Sequence, residues 1–306
     1  LLETPGYHSR NLWSLGGYPE SRAWGAWHGL RERFSYNHSL HNVVPPDRFA
    51  EHPEWFAKGP DGEPRRPPFG YPHGYNDHPD LSQPGLRRHV AETVVAALRG
   101  EDLPVRLPVR RSPGLASTSI SLADAFPFGY YPASYPHRPE GWFRRWPDWS
   151  PHVFAFCNAV AEQVQAARPV NEDTAVYLGA LAYLTWENTP DFAVHPWILP
   201  YLTFDRSQWH DPLARQDDLA TVRRWARTGV SFTGTWDYLF GYGFLIPRSL
   251  TGVVGESIPQ LHRSGVRAYF SQTASAWPFD GHTTWLAARL LWNPEADPGK
   301  LADEYF

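Results

Sequence analysis

Three apolar runs in this chain each end in a carboxylate with aromatic company. They are Ser119-Ile120-Ser121-Leu122-Ala123-Asp124, Ala180-Leu181-Ala182-Tyr183-Leu184-Thr185-Trp186-Glu187, and Ser231-Phe232-Thr233-Gly234-Thr235-Trp236-Asp237-Tyr238. One carboxylic acid can protonate a leaving oxygen while a second carboxylate acts as base or nucleophile, which is the chemistry of glycosidic-bond cleavage. Aromatic side chains beside them suit the flat faces of sugar rings. Glu187, next to Trp186, is expected to be the acid, since apolar surroundings favour a neutral carboxyl. Asp124 is expected as its partner, with Asp237 as the alternative partner or a ligand to a sugar hydroxyl. Each acid has a plainer use, as a helix cap or as the partner of an arginine.

Trp186, Trp236, Tyr238 and Tyr242 are the candidate stacking residues, against the commoner fate of packing a loop on a sheet. His38 could bond a substrate hydroxyl, although a lone histidine among aromatics is more often structural. Arg10 and Gln272 complete the candidate binding set. His41, His73, His78 and Asp77 match no metal-ligand spacing, so neither a metal nor another cofactor is expected. Ser119 and Ser121 lack the context of a nucleophilic serine.

The elements that must position these groups alternate. Strands are expected over 7–13, 36–44, 118–123, 174–185, 197–204, 230–236 and 266–272, with a weak one within 105–110. Helices are expected over 21–34, 83–98, 150–169, 219–228, 249–263 and 283–292. No hairpin signal is read between neighbouring strands. Alternation implies a parallel sheet, and about eight units imply a (β/α)8 TIM barrel, an α/β fold whose active site lies at the C-terminal ends of its strands. Long Pro- and aromatic-rich excursions at 47–82 and 125–149 read as functional loops. The second holds Tyr130, Tyr131, Tyr135, Trp142, Trp146 and Trp149, too many rings for core packing alone. No Gly-rich phosphate loop follows the first strand.

The bulk numbers narrow the classes. The 306 residues fit one barrel domain over 1–306. The 28 Lys and Arg are dispersed and the net charge is −4, which argues against nucleic acid. The single cysteine, Cys157, excludes a disulfide framework and is read as a buried, inert member of a helix stripe. No apolar run approaches the ~18 residues of a membrane span. With 31 Pro and 15 Trp the loops are read as rigid and the surface as aromatic-rich, fit for an oligo- or polysaccharide. The absence of methionine suggests a piece of a longer chain.

The stretch Val43-Val44-Pro45-Pro46-Asp47-Arg48-Phe49-Ala50-Glu51-His52-Pro53-Glu54-Trp55-Phe56-Ala57 resembles a bacterial family known as domain of unknown function 4838. The resemblance extends to Asn37-His38-Ser39-Leu40, Asp80-Leu81-Ser82-Gln83-Pro84-Gly85, Ser119 to Asp124, Trp236-Asp237-Tyr238 and Leu290-Leu291-Trp292-Asn293-Pro294. It implies a TIM-barrel glycoside hydrolase, with one branch similar to endo-acting N-acetylglucosaminidases, and a secreted or periplasmic location suited to a polymeric substrate. Two departures stand out. Ala125-Phe126-Pro127 follows Asp124 where the family pattern has Cys-x-Cys, and Ser271 stands where the last strand often carries an acid. They keep two alternatives open: a non-catalytic carbohydrate-binding barrel, and a polysaccharide lyase in which Arg10, Arg138 and Arg248 would neutralise a uronate.

Overall fold

A computed structural model describes residues 4–13, 19–59, 61–66, 79–123, 142–144, 146–239, 249–273 and 277–306. These residues form a mixed α/β fold rich in parallel strand pairs. The chain divides into two compact units, one of Leu1–Arg33, Tyr201–Arg227 and Ser231–Phe306, the other of Phe34–Pro200 and Thr228–Val230.

The first unit is built on parallel strands. β1 (Ser9–Trp13) pairs with β9 (Val266–Thr273), β9 with β8 (Thr233–Leu239), and β8 with the Tyr201–Thr203 end of β7 (Ile198–Thr203). Helices α1 (Pro19–Trp27), α5 (Pro212–Trp225), α6 (Thr251–Arg263), α7 (Trp277–Trp292) and α8 (Pro298–Tyr305) accompany them. The strands match the sequence expectation closely, while several helix ends do not. α1 stops well before Phe34 because Gly29 takes φ +68, a left-handed stop that glycine adopts cheaply. α5 begins seven residues before the expected start. Asp211 is its N-cap, accepting from the Leu213 amide at 2.8 Å, and Pro212 occupies the first turn. α8 was not anticipated, although Asp297-Pro298 is the same start signal, with Asp297 accepting from the amides of Gly299 and Lys300.

The second unit holds α2 (Leu40–Val43), α3 (Pro84–Arg99), β2 (Arg110–Ser112), β3 (Leu115–Ser119), β4 (Trp142–Phe143), β5 (Trp146–Pro147), α4 (Ser150–Ala166) and β6 (Ala175–Ala182). β3 and β6 are parallel. β2 and β3 form an antiparallel hairpin, contrary to expectation, through Pro113-Gly114 with Gly114 at φ +69. Pro followed by a left-handed Gly is the signature of a type II turn. The expected strand over 36–44 shrinks to one parallel bridge, His38 to Ser121. The amides of Ser39 and Leu40 both donate to the Ser121 carbonyl oxygen, and the Ser39 hydroxyl donates to that of Ser119, which turns the chain into α2.

α3 buries Leu86, Val90, Val94 and Leu98 at helical spacing and ends at Gly100, φ +81. It packs on α4, whose stripe includes Val153, Cys157, Val160 and Val164. Cys157 is a fully buried free thiol, as expected, and burial pushes its pKa up to about 12. Trp149 is the N-cap of α4, and Asp148 accepts from both the amide and the hydroxyl of Ser150.

Gly179 on β6 has a packing reason to be glycine. A Cβ there would collide with the Ser35 carbonyl oxygen and lie 2.6 Å from the Tyr36 Cα, both backbone atoms. Gly179→Ala is therefore expected to cost about 1–3 kcal/mol of stability, since the segment entering the His38 bridge would have to move. A shift of the urea midpoint to lower concentration would show it, and an unchanged midpoint would refute the close approach.

Candidate functional site

In the first unit the strand registers bring two rows of side chains to one face. Asn11, Phe270, Trp236 and Thr203 are aligned across β1, β9, β8 and β7. Two residues towards the C-terminal ends, Trp13, Gln272 and Tyr238 form the next row. Residues i and i+2 of a strand share a face, so both rows point the same way. The Trp236 and Phe270 rings meet at 4.2 Å between centroids. Trp13 is 56 % exposed, while Tyr238 and Gln272 are half-buried. This is an aromatic and amide surface that deepens from an open rim into a packed floor.

The alternate residues face the helices. Tyr7, which precedes β1, also reaches the helices, its hydroxyl donating to the Ile258 carbonyl oxygen of α6. Arg10 donates to the carbonyl oxygens of Gly29 and Tyr7, and its guanidinium lies 5.4 Å from the Trp292 ring centroid of α7. Desolvation and neighbouring arginines lower its pKa to about 10. Arg10, expected as a ligand to substrate, is thus spent on tying β1 to its surroundings.

Asp237 lies on this same side and is fully buried. Its Oδ1 accepts from the amides of Tyr238 at 2.7 Å and Arg206 at 3.1 Å, and its Oδ2 from the Tyr269 hydroxyl at 2.9 Å. The Arg206 Nε, on a side chain equally buried, is 3.8 Å from Oδ2. Arg206 also donates to the Thr235 hydroxyl and lies over the rings of Phe204 and Trp209. Burial pushes the Asp237 carboxyl above its ordinary value, although Arg206 and the hydrogen bonds pull the other way. The Tyr269 and Tyr7 phenols are raised by the same burial. Both Asp237 oxygens are committed to internal partners, so this carboxylate is a structural anchor between Trp236 and Tyr238 and is not open to a sugar.

In the second unit Glu187 follows β6 on a short 3-10 turn, Leu184–Trp186. Leu184 sits at φ +50, strained for a residue with a Cβ. The turn is held from two sides. Trp186, fully buried, donates its indole N–H to the Leu181 carbonyl oxygen at 2.8 Å, and the Trp149 amide donates to that of Thr185 at 2.6 Å. Trp186 was expected to stack on substrate; with no exposed face, it props the turn instead. Glu187 is 6 % exposed, and the Arg144 guanidinium is 3.5 Å from its Oε1. Next to it, Asn188 donates to Asp148 at 2.6 Å. A buried carboxylate on a strained, braced turn after a parallel strand is suited to proton transfer or nucleophilic attack. His38, half-buried at the end of its bridge, donates Nδ1–H to the Leu122 carbonyl oxygen at 2.6 Å, which fixes the ring.

A family model described as a domain of unknown function, DUF4838, matches residues 2–306. The chain belongs to the DUF4838 family. No curated protein and no solved structure matches it.

Within this DUF4838 chain the expected site residues separate into three groups. Trp236, Tyr238 and Gln272 share one face of the first unit. Glu187 and His38 each stand at the C-terminal end of a parallel strand position in the second. Arg10, Asp237 and Trp186 are engaged internally. Asp124 and Tyr242 lie outside the described residues, as do Tyr130, Tyr131 and Tyr135. Trp149 is buried, so that ring of the aromatic excursion joins the core. Sequence reasoning missed Trp13, Asn11 and Arg144. Trp13 had a usable signal, since a tryptophan closing a strand in a parallel sheet stands where ligands bind. Arg144 had none, because nothing local in sequence ties it to Glu187. No helix among the described residues is long and apolar enough to cross a membrane.

Proposed function

We propose that this DUF4838 chain is a carbohydrate-active domain of (β/α)8 type that cleaves a glycosidic bond in an oligo- or polysaccharide. The observation that carries the reading is the row of exposed Trp13 and half-buried Gln272 and Tyr238 beyond the Trp236–Phe270 floor, at the C-terminal ends of parallel strands. Aromatic faces with a few convergent amides and hydroxyls suit sugars, whose rings carry patches of C–H among their hydroxyls. The cleavage chemistry is assigned to the second unit taken by itself, with Glu187 as the acid. Asp124 is its partner, and His38 bonds a sugar hydroxyl. Asp237 supports the aromatic floor and takes no proton-transfer role.

A second reading, a domain that binds glycans without cleaving them, draws on the burial of Asp237 and on Ser271, which stands on the last strand and donates to the Gln272 carbonyl oxygen. One experiment separates the two. The protein is incubated with a panel of glycans and of plant and microbial polysaccharides, and new reducing ends are counted beside calorimetric binding. Cleavage products are the expected result. Binding without products favours the second reading, and neither binding nor products overturns both.

A further inference from the structure

The row Trp13, Gln272 and Tyr238 carries more than a general affinity for sugars. Trp13 and Tyr238 lie on β1 and β8, the two strands that flank β9, and Gln272 stands between them in register with both. Strands two positions apart are about 9.5 Å from each other, twice the usual spacing. A sugar ring in contact with an aromatic face on each side needs about 7–8 Å, two carbon–carbon contacts of about 3.5–4.0 Å. The row is therefore wide enough for one pyranose held edge-down, with an aromatic side chain on each flank and the Gln272 amide below. Trp13 is 56 % exposed, so its ring is accessible to a ligand, beside the half-buried Tyr238 and Gln272.

We infer that Trp13 and Tyr238 grip a single sugar unit from both faces over Gln272, and that this selects rings of gluco configuration. The inference rests on the carbohydrate reading above and adds its substrate class. The selection follows from the two-sided grip. When every ring hydroxyl is equatorial, as in glucose, xylose or N-acetylglucosamine, the axial positions of both faces carry only C–H. An axial hydroxyl, at C2 in mannose or at C4 in galactose, puts oxygen on one face and sets it against an aromatic ring without a hydrogen-bond partner. The Gln272 amide, with donors and an acceptor, can bond adjacent equatorial hydroxyls along the ring edge.

Calorimetry tests this with β-1,4-linked cellotriose, xylotriose, mannotriose and galactotriose on wild type, Trp13→Ala and Trp13→Phe. Cellotriose and xylotriose should bind wild type at least tenfold more tightly than the other two. Trp13→Ala should weaken cellotriose at least tenfold and bring the four ligands within threefold of one another, and Trp13→Phe should keep the preference. Trp13 is exposed, so its truncation should leave the thermal transition in place. Wild-type binding without a gluco preference, or a Trp13→Ala variant that binds cellotriose within threefold of wild type, overturns this inference and leaves the carbohydrate reading intact. Wild-type binding to none of the four, together with none on the broader panel, overturns both.

Discussion

Replacing Glu187 by Gln is expected to lower glycan cleavage by about 10²–10⁴-fold while leaving glycan binding and the thermal transition where they are. The size is that of losing one positioned acid or base. The amide keeps the shape of the side chain, so the braces on its turn, Trp186 to Leu181 and Trp149 to Thr185, survive the change. What is lost is the group that can carry a proton or attack carbon. The Arg144 guanidinium, 3.5 Å away, then faces a neutral partner, but its side chain is one-third exposed and water can take up the loss. Reducing-end release under saturating glycan, beside calorimetry on the same variant, measures both quantities. Turnover within tenfold of wild type would remove Glu187 from the reaction.

The second large effect concerns stability. Arg206→Ala should destabilise the protein by about 3–5 kcal/mol at neutral pH, because it leaves the Asp237 carboxylate buried without its cation. The effect has a pH signature. Burial raises the folded-state pKa of Asp237 above 3.8, so the aspartate's contribution is fully present below that value and is lost as the pH rises through the folded pKa. Asp237→Asn should therefore flatten the dependence of stability on pH above 3.8. Arg206→Ala, which removes a cation that lowers this pKa, should steepen it, with a smaller loss in acid than at neutrality. The pair Arg206→Met with Asp237→Leu should recover most of the stability, as an apolar pair of similar size often does. Urea unfolding at several pH values measures all three. A loss below about 1 kcal/mol for Arg206→Ala, or a slope that does not change, would mean that the buried pair is not what holds this corner.

Glu187 and Asp237 were equivalent in sequence, each an acid beside a tryptophan at the end of an apolar run. The structure separates them through their company. Asp237 is met by a cation, a phenol and two amides, all from inside the fold. Glu187 stands on a strained turn with an arginine that is partly exposed. Arg206 and Tyr269 lie 31 and 32 residues away from Asp237 in sequence, so no local pattern could have announced them.

Part of this was legible beforehand. A strand here is clear from its composition, but it was expected to end at Trp236; it runs to Leu239, and the period of two then means that Trp236, Asp237 and Tyr238 cannot all serve one site. Either the acid or the two rings face the ligand. The helix starts at Asp211-Pro212 and Asp297-Pro298 and the turn at Pro113-Gly114 were missed, although caps and turns depend on residues that touch one another along the chain. Sequence alone could not say which side of β8 meets the helices, because both faces carry residues that can be buried. Nor could it align Trp13 with Gln272, 259 positions apart, since register is set by the pairing of whole strands. The residue types and the parallel strands that carry them were read from the sequence. Tertiary packing decided the face on which they meet, because the helices take the side of Arg10 and Asp237 and the strand registers align Trp13, Gln272 and Tyr238 on the other.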